Sequence, residues 1–258
     1  MNERIDFCID FSDIHIGTRL KKEVPMNENG YWFNYDIKLE DGQRSRFNIT
    51  LDPETLTMQP SSPESYSAWT QLSYKQCACC SLSPKDTLYC PIAVNIAELV
   101  DRFKDILSHK NCLVTCETID RMYSKKTSAM EGLTSVFGIV MATSNCPVMN
   151  FLKPMARFHL PFSSVEETMV RSTSFFLLGQ YFEYKKGRED CFGFDQLEKR
   201  YVQVQQVNEG LLARIRSLGN QDADKNAVIT LHSLSQFLSM EMDFSLQTIA
   251  HIFERPAE

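Results

Sequence analysis

Residues 76–93, QCACCSLSPKDTLYCPIA, hold four of the chain's nine cysteines. Thiolates are soft metal donors, and a C-x-x-C turn offers two of them to one ion from a single tight loop. Cys77 and Cys80 have that spacing. Cys90 precedes Pro91 at the expected mouth of a helix, where the N-terminal dipole favours a thiolate. Cys146 precedes Pro147 in the same way, beside another expected helix start. The expected ligand set is therefore Cys77, Cys80, Cys90 and Cys146 around one zinc ion. The same four thiolates suit an iron–sulfur cluster as the alternative. Cys79 is a substitute within the knuckle, and His159 is an alternative fourth ligand. Against the metal stand two other readings. Free cysteines are often small buried apolar residues, and clustered thiols also do redox or disulfide chemistry. Cys112 and Cys116 share an expected strand face with Val114 and read as core packing. Cys8 and Cys191 have no partner in sequence.

A second polar cluster lies in residues 155–171, MARFHLPFSSVEETMVR. Arg157, His159, Glu166, Glu167 and Arg171 come together there. A histidine with nearby carboxylates can do acid–base work in a cleft. The plainer reading is a capping box, a Glu167–Arg171 pair one helical turn apart, and a core histidine that is hydrogen-bonded. The chain has no Walker loop, no G-x-G-x-x-G, no G-x-S-x-G and no H-E-x-x-H. No catalytic residue is assigned.

The elements that must position these groups change in period along the chain. Residues 1–75 alternate with period two: IDFCIDF at 5–11, YWFNYDIKL with Phe33, Tyr35, Ile37 and Leu39 on one face, and RFNITL with Phe47, Ile49 and Leu51. Such alternation marks half-buried strands, and Asp41-Gly42 between two of them predicts a type I′ hairpin turn. The Pro/Ser-rich stretch 59–65 marks a boundary. Beyond it the spacing becomes helical. Ile92, Ile96, Leu99, Phe103 and Ile106 form one stripe behind Pro91. CLVTCETIDRMY reads as a return to strand, and SAMEGLTSVFGIVMAT as a buried helix closed by Cys146-Pro147. Ser163 with Glu166, or Ser164 with Glu167, opens a third helix that Gly187 ends. Leu197, Tyr201, Val204, Asn208, Leu211, Ile215 and Leu218 alternate spacings of four and three in a helix capped by Asp195 and stopped by Gly219. A further helix near 224–242, with Val228, Leu231, Leu238 and Met242 in a stripe, follows a short loop, so the two should lie antiparallel. Asn208 then falls opposite Ser235.

The expected fold is α+β: an N-terminal antiparallel β module (1–75), a cysteine-knuckle and helical core domain (76–190), and a C-terminal antiparallel helical hairpin (191–258). Several segments carry a family likeness: Cys77-Ala-Cys79-Cys80, Cys90-Pro91, Ser144-Asn-Cys146-Pro147, the stretch 154–162, Glu166-Glu167-Thr168 and Val207-Asn208. Together they resemble an uncharacterised family of bacterial proteins, a domain of unknown function, whose pattern is a C-x-x-C followed twice by Cys-Pro. The likeness is clearest over 76–182 and implies no activity. Cys79 is an addition to that pattern, and Ser81 stands where it has proline. Which of Cys77, Cys79 and Cys80 pair as ligands stays open.

Composition bounds the partners. Net charge is −6, with 43% hydrophobic and 23% charged residues. That is an ordinary globular balance, without a broad electrostatic footprint for nucleic acid or an anionic membrane. The opening MNERIDFCIDF reads as neither a signal nor a transit peptide, and the apolar run at 175–182 is too short for a span. The expectation is a cytoplasmic protein, more readily a monomer than a coiled-coil dimer. It binds a protein or small-molecule partner as a binding or regulatory module with a structural cysteine-ligated metal. The alternative is an enzyme using the 157–171 segment near that metal.

Overall fold

Alternation in residues 31–51 produces the expected hairpin. In the computed structural model, which describes residues 30–58, 66–188, 193–219, 223–240 and 242–253, β1 (Tyr31–Leu39) pairs antiparallel with β2 (Arg44–Leu51). Tyr31 lies opposite Leu51, and Lys38 opposite Arg44. Phe33, Tyr35, Ile37, Leu39, Phe47, Ile49 and Leu51 are all buried on one face. The turn differs from type I′. Gly42 alone takes positive φ, at 91°, and its N–H donates to Leu39 O at 3.0 Å, while Leu39 N donates to Gln43 O at 2.8 Å. Three residues, Glu40 to Gly42, therefore close the loop. The left-handed conformation falls on the glycine, which bears no Cβ penalty, and Asp41 is spared it.

The other edge of β1 is taken by β3 (Asn111–Thr118), with Ile37 opposite Val114, and β4 (Met122–Ser128) completes the order β2-β1-β3-β4. The sheet thus draws strands from both sides of the cysteine segment. Cys112, Val114 and Cys116 are buried on its covered face. The strand expected at 5–11, Cys8, Cys191 and the 59–65 boundary lie outside the described residues.

Helices cover the apolar face. α1 (Pro91–Phe103) starts with proline at its first position and buries Ile92, Ile96, Leu99 and Phe103. α2 (Ala129–Ala142) is capped by Ser128, whose hydroxyl accepts from Glu131 N at 3.3 Å. It lies so close to β3 that a Cβ on Gly132 would fall 2.7 Å from Val114 Cγ2. Buried nearly all round, α2 is the central helix of the body. It stops at Ala142, and Cys146-Pro147 opens the next element, a 3-10 turn over Pro147–Leu152 leading into α3 (Lys153–Arg157).

α4 (Val165–Lys185) begins with the Ser164–Glu167 capping box and ends before Gly187 at φ 71°. α5 (Asp195–Arg216) has Phe194 at its cap position, so Asp195 is the first helical residue and serves the positive end of the dipole. α6 (Ala223–Met240) is followed by α7 (Met242–Ile249), so the expected helix near 224–242 is divided. α5 and α6 form the antiparallel hairpin: Gln205 Nε2 donates to Ser239 Oγ at 2.5 Å and Asn208 Nδ2 to Ser235 Oγ at 3.3 Å. The fold is α+β, a four-stranded antiparallel sheet against a mostly helical body. No single helix among the described residues is long and apolar enough to cross a membrane.

Candidate metal centre

Cys77 and Cys80 sit in a tight turn closed by Cys80 N donating to Cys77 O at 3.0 Å. Lys75, just before it, is held at φ 46°, a left-handed conformation that non-glycine residues rarely adopt. The segment is held along α5, running antiparallel to it. Tyr74 Oη contacts Ser217 Oγ at 2.8 Å, and Lys75 Nζ donates to Ala213 O at 2.9 Å. The Cys77 thiol points to Val207 O at 3.9 Å and the Cys79 thiol to Gln203 O at 3.5 Å. Gln203, Val207, Gly210 and Arg214 are spaced by four, three and four, one stripe of the helix. This stripe faces the knuckle, while Val204, Asn208, Leu211 and Ile215 make up the expected core stripe.

The other two cysteines reach the same place from helix starts. Cys90 caps α1 with φ −70° and ψ 120°, and Cys146 caps the 3-10 turn with φ −75° and ψ 120°. Neither side chain is used in capping. Cys77, Cys80, Cys90 and Cys146 all line one small cavity of about 20 Å³, together with Pro91, Pro147, Val207 and Arg214. That volume is about one water or one ion. Cys79 is outside this lining and faces α5. His159, the alternative fourth ligand, is also elsewhere: it lines the larger cavity described below. The knuckle is held on one helix and the histidine on another part of the body, so His159 is excluded from the cysteine cavity by the fold. The four thiols share a cavity and not yet a coordination sphere. Among the described residues, no three His, Cys, Asp or Glu side chains are gathered closely enough to hold an ion.

Burial pushes the Cys77 thiol up to about 12, and the neighbouring Cys90, Cys79, Cys146 and Cys80 add to the rise. Burial pushes Cys146 up to about 11, against the pull of the Val148 and Met149 N–H groups at its helix start. At neutral pH these two groups are neutral thiols, and any ion must displace their protons.

Arg214 is the residue that the sequence pattern concealed. It is 1% exposed, and its guanidinium donates to three carbonyls: Trp69 O at 2.6 Å, Gln71 O at 2.8 Å and Leu72 O at 3.1 Å. Its Nε has no partner. A permanent cation is thereby buried on the cavity wall beside four cysteines. The sequence carries no clear signal for it: on the stripe Gln203, Val207, Gly210 and Arg214 only Val207 is a large apolar residue.

The 157–171 cluster is dispersed. Glu167 is used in the capping box, its carboxylate accepting from Ser164 N at 2.7 Å. Arg171, instead of pairing with it, donates to Met155 O at 3.1 Å and Phe158 O at 2.8 Å. Arg157 stacks on the Tyr31 ring, 3.5 Å from its centroid. His159 Nε2 is 2.5 Å from Tyr35 Oη, which is 2.8 Å from Ser135 Oγ. Burial, followed by the Arg171 charge, pushes His159 down to about 3. The imidazole is therefore neutral, and it shares one proton with Tyr35 Oη across this contact. His159, Ser135 and Arg171 line a cavity of about 640 Å³ bounded by α2, α3, α4, α5 and α6, in which Met, Leu and Ile side chains alternate with Ser and Thr hydroxyls.

The chain is thus an α+β body with a half-buried four-cysteine pocket and a separate larger cavity. The chain belongs to the family described as Domain of unknown function (DUF6901), whose model matches residues 33–254. No curated protein and no solved structure matches it.

Proposed function

We propose that this chain is a cytoplasmic binding or regulatory protein whose fold is tied together by one structural zinc ion held by Cys77, Cys80, Cys90 and Cys146. The observation that carries the reading is the convergence of these four cysteines, from the knuckle and two separate helix starts, on one ion-sized cavity. Four thiolates around Zn²⁺ leave a net charge of −2 by formal count. The buried Arg214 cation beside them offsets part of it. Rotation of the cysteine side chains about χ1 is the movement that would turn a shared cavity into a tetrahedral set. A cavity of about 20 Å³ suits a single ion better than a cluster of iron and sulfide. With four protein ligands the ion has no open position, which is the mark of a structural site.

The binding half of the reading rests on the 640 Å³ cavity, a volume within the usual range for small-molecule sites. It favours binding over acid–base catalysis. The carboxylate of Glu167 and the guanidinium of Arg171 are spent on backbone groups, and His159, neutral down to about 3, is a poor base.

The test is elemental analysis of protein purified without a chelating column, followed by chelation. About one zinc per chain is expected, and Cys90→Ser should lower both metal content and melting temperature. Metal-free protein whose melting curve is indifferent to chelation and to added zinc would overturn the reading. Iron with inorganic sulfide would replace zinc by a cluster.

A further inference from the structure

Two residues that line the large cavity carry a charge at neutral pH, Glu131 and Arg171. The Glu131 carboxylate is met by Lys125 and accepts from Thr127. Arg171 has no counter-ion among the described residues. Glu167, one turn before it, is turned to the Ser164 N–H. The acceptors of Arg171, Met155 O and Phe158 O, are uncharged, and both are served by Nη2. Those bonds fix the guanidinium without cancelling its charge, and the residue is only half-buried. The cavity wall thus keeps one uncompensated positive charge.

That charge lies at a polar end of an elongated space. Phe158, whose carbonyl Arg171 holds, is the residue before His159, and His159 is joined to Ser135 through Tyr35 Oη. α2 lines the cavity from Met130 to Ala142, about 18 Å at the helical rise. Beyond Ser135 it contributes only Gly138, Ile139, Met141 and Ala142. Leu231, Leu234 and Leu238 of α6 line the cavity too, while the Thr230 and Ser235 hydroxyls beside them donate to backbone carbonyls. A single cation at one end and an apolar run away from it describe the complement of an amphipathic anion.

We infer that the cavity binds an elongated apolar monocarboxylate, with its carboxylate on Arg171 and its aliphatic chain along α2. The inference rests on the binding half of the proposed function and is independent of the metal. A neutral ligand of the same length would displace water from the cation and give it no charge in return, which is costly. A cationic one would be repelled. A carboxylate gains a charge-assisted hydrogen bond, the stronger kind.

The experiment compares three probes on the full chain at neutral pH, below their micelle concentrations, by competition for a fluorescent aliphatic probe. They are dodecanoate, 1-dodecanol and dodecylamine, which share a chain and differ in the charge of the head. Dodecanoate should bind about tenfold or more tighter than the alcohol, as expected for one hydrogen bond to a charged group, and the amine should bind least. In Arg171→Gln the preference for dodecanoate should vanish while the alcohol still binds, and Arg171→Lys should keep part of it. The ranking on the wild type decides the ligand class even if a variant fails to fold. Gly138→Leu locates the site. Gly138 lines the cavity, and a Cβ there has only Leu231 Cδ2 near it, at 4.0 Å, so the larger side chain should fill the space and abolish binding of all three probes. Undiminished binding to folded Gly138→Leu overturns the inference by placing the probes outside the cavity. Alcohol binding equal to or tighter than dodecanoate, or the amine as the tightest ligand, overturns the assigned ligand class and leaves the binding reading standing. Binding of none of the probes overturns both.

Discussion

Gly210 and Cys77 are so close that a Cβ built on the glycine would fall 2.6 Å from the Cys77 sulfur. A glycine in mid-helix costs about 1 kcal/mol relative to alanine, so close approach of the knuckle is what the missing side chain permits. Gly210→Ala should improve helix propensity and still destabilise the protein, by about 1–3 kcal/mol, because the new Cβ would also lie 3.3 Å from Cys77 Cα, a contact that turning the thiol aside does not relieve. Urea unfolding measures the sign. The same variant should bind zinc more weakly, since the knuckle is pushed off its line. A stabilised Gly210→Ala with wild-type zinc content would show that the contact is slack.

Arg214 should tolerate no neutral replacement. Arg214→Met leaves three buried carbonyls short of their donor, and a loss of more than about 2 kcal/mol is expected from chemical unfolding. Arg214→Lys keeps the charge but cannot make the forked contacts to Trp69, Gln71 and Leu72, so it should recover only part of the loss.

Zinc uptake should depend steeply on pH. Cys77 and Cys146, raised to about 12 and about 11, carry protons at neutral pH that the ion must expel. Apparent affinity should rise by more than about tenfold per pH unit and collapse in acid, with protons released on binding. Competition titrations at several pH values, with proton release followed by an indicator dye, give both quantities. Uptake without pH dependence would place the metal on other ligands.

Metal-free protein should lose stability at both ends of the pH range. At the alkaline end, Cys77 and Cys116 are raised from 9.0 to about 12 by burial, so the folded state holds protons that the unfolded state releases. Their contribution is complete below pH 9.0 and lost as pH rises towards about 12. At the acid end, His159 is lowered from 6.5 to about 3, so the unfolded state binds the proton first and stability falls as pH drops through that window. Cys116→Val should flatten the alkaline limb and His159→Gln the acid limb, read as melting temperature against pH.

Light scattering should give the mass of one chain, for wild type and for Asn208→Leu alike. Asn208 Nδ2 finds an acceptor, Ser235 Oγ, within its own chain, so the register of the hairpin is set without a second copy. A wild-type dimer that changes order in the mutant would transfer that pairing to an interface.

Much of this was readable in the order of residues. Period-two alternation placed Phe33, Tyr35, Ile37 and Leu39 on the buried face because side chains of a strand alternate by geometry alone. Spacings of four and three placed Leu197 to Leu218 on one helix face, and a short loop made the hairpin antiparallel, so Asn208 fell opposite Ser235. Pro91 and the Ser164–Glu167 box marked helix starts because they act within one turn. These are local rules, and local sequence suffices for them. The hairpin turn departs from type I′ because two turn types both place a glycine after Asp41, and the strand register chooses between them.

Tertiary structure decided the rest. The residue types and their Cys-Pro contexts nominated Cys77, Cys80, Cys90 and Cys146, but only the packing of the knuckle, α1 and the Pro147 turn brought them to one cavity and kept His159 and Cys79 out of its lining. Arg214 is a charged residue off the core stripe of α5, yet it is 1% exposed. It is buried because α5 is covered on two faces, by α6 and by the knuckle, and no one-dimensional pattern records a second covering. The large cavity was invisible for the same reason: a void is defined by side chains from five helices that fail to meet, and that distance is a property of the packed body alone.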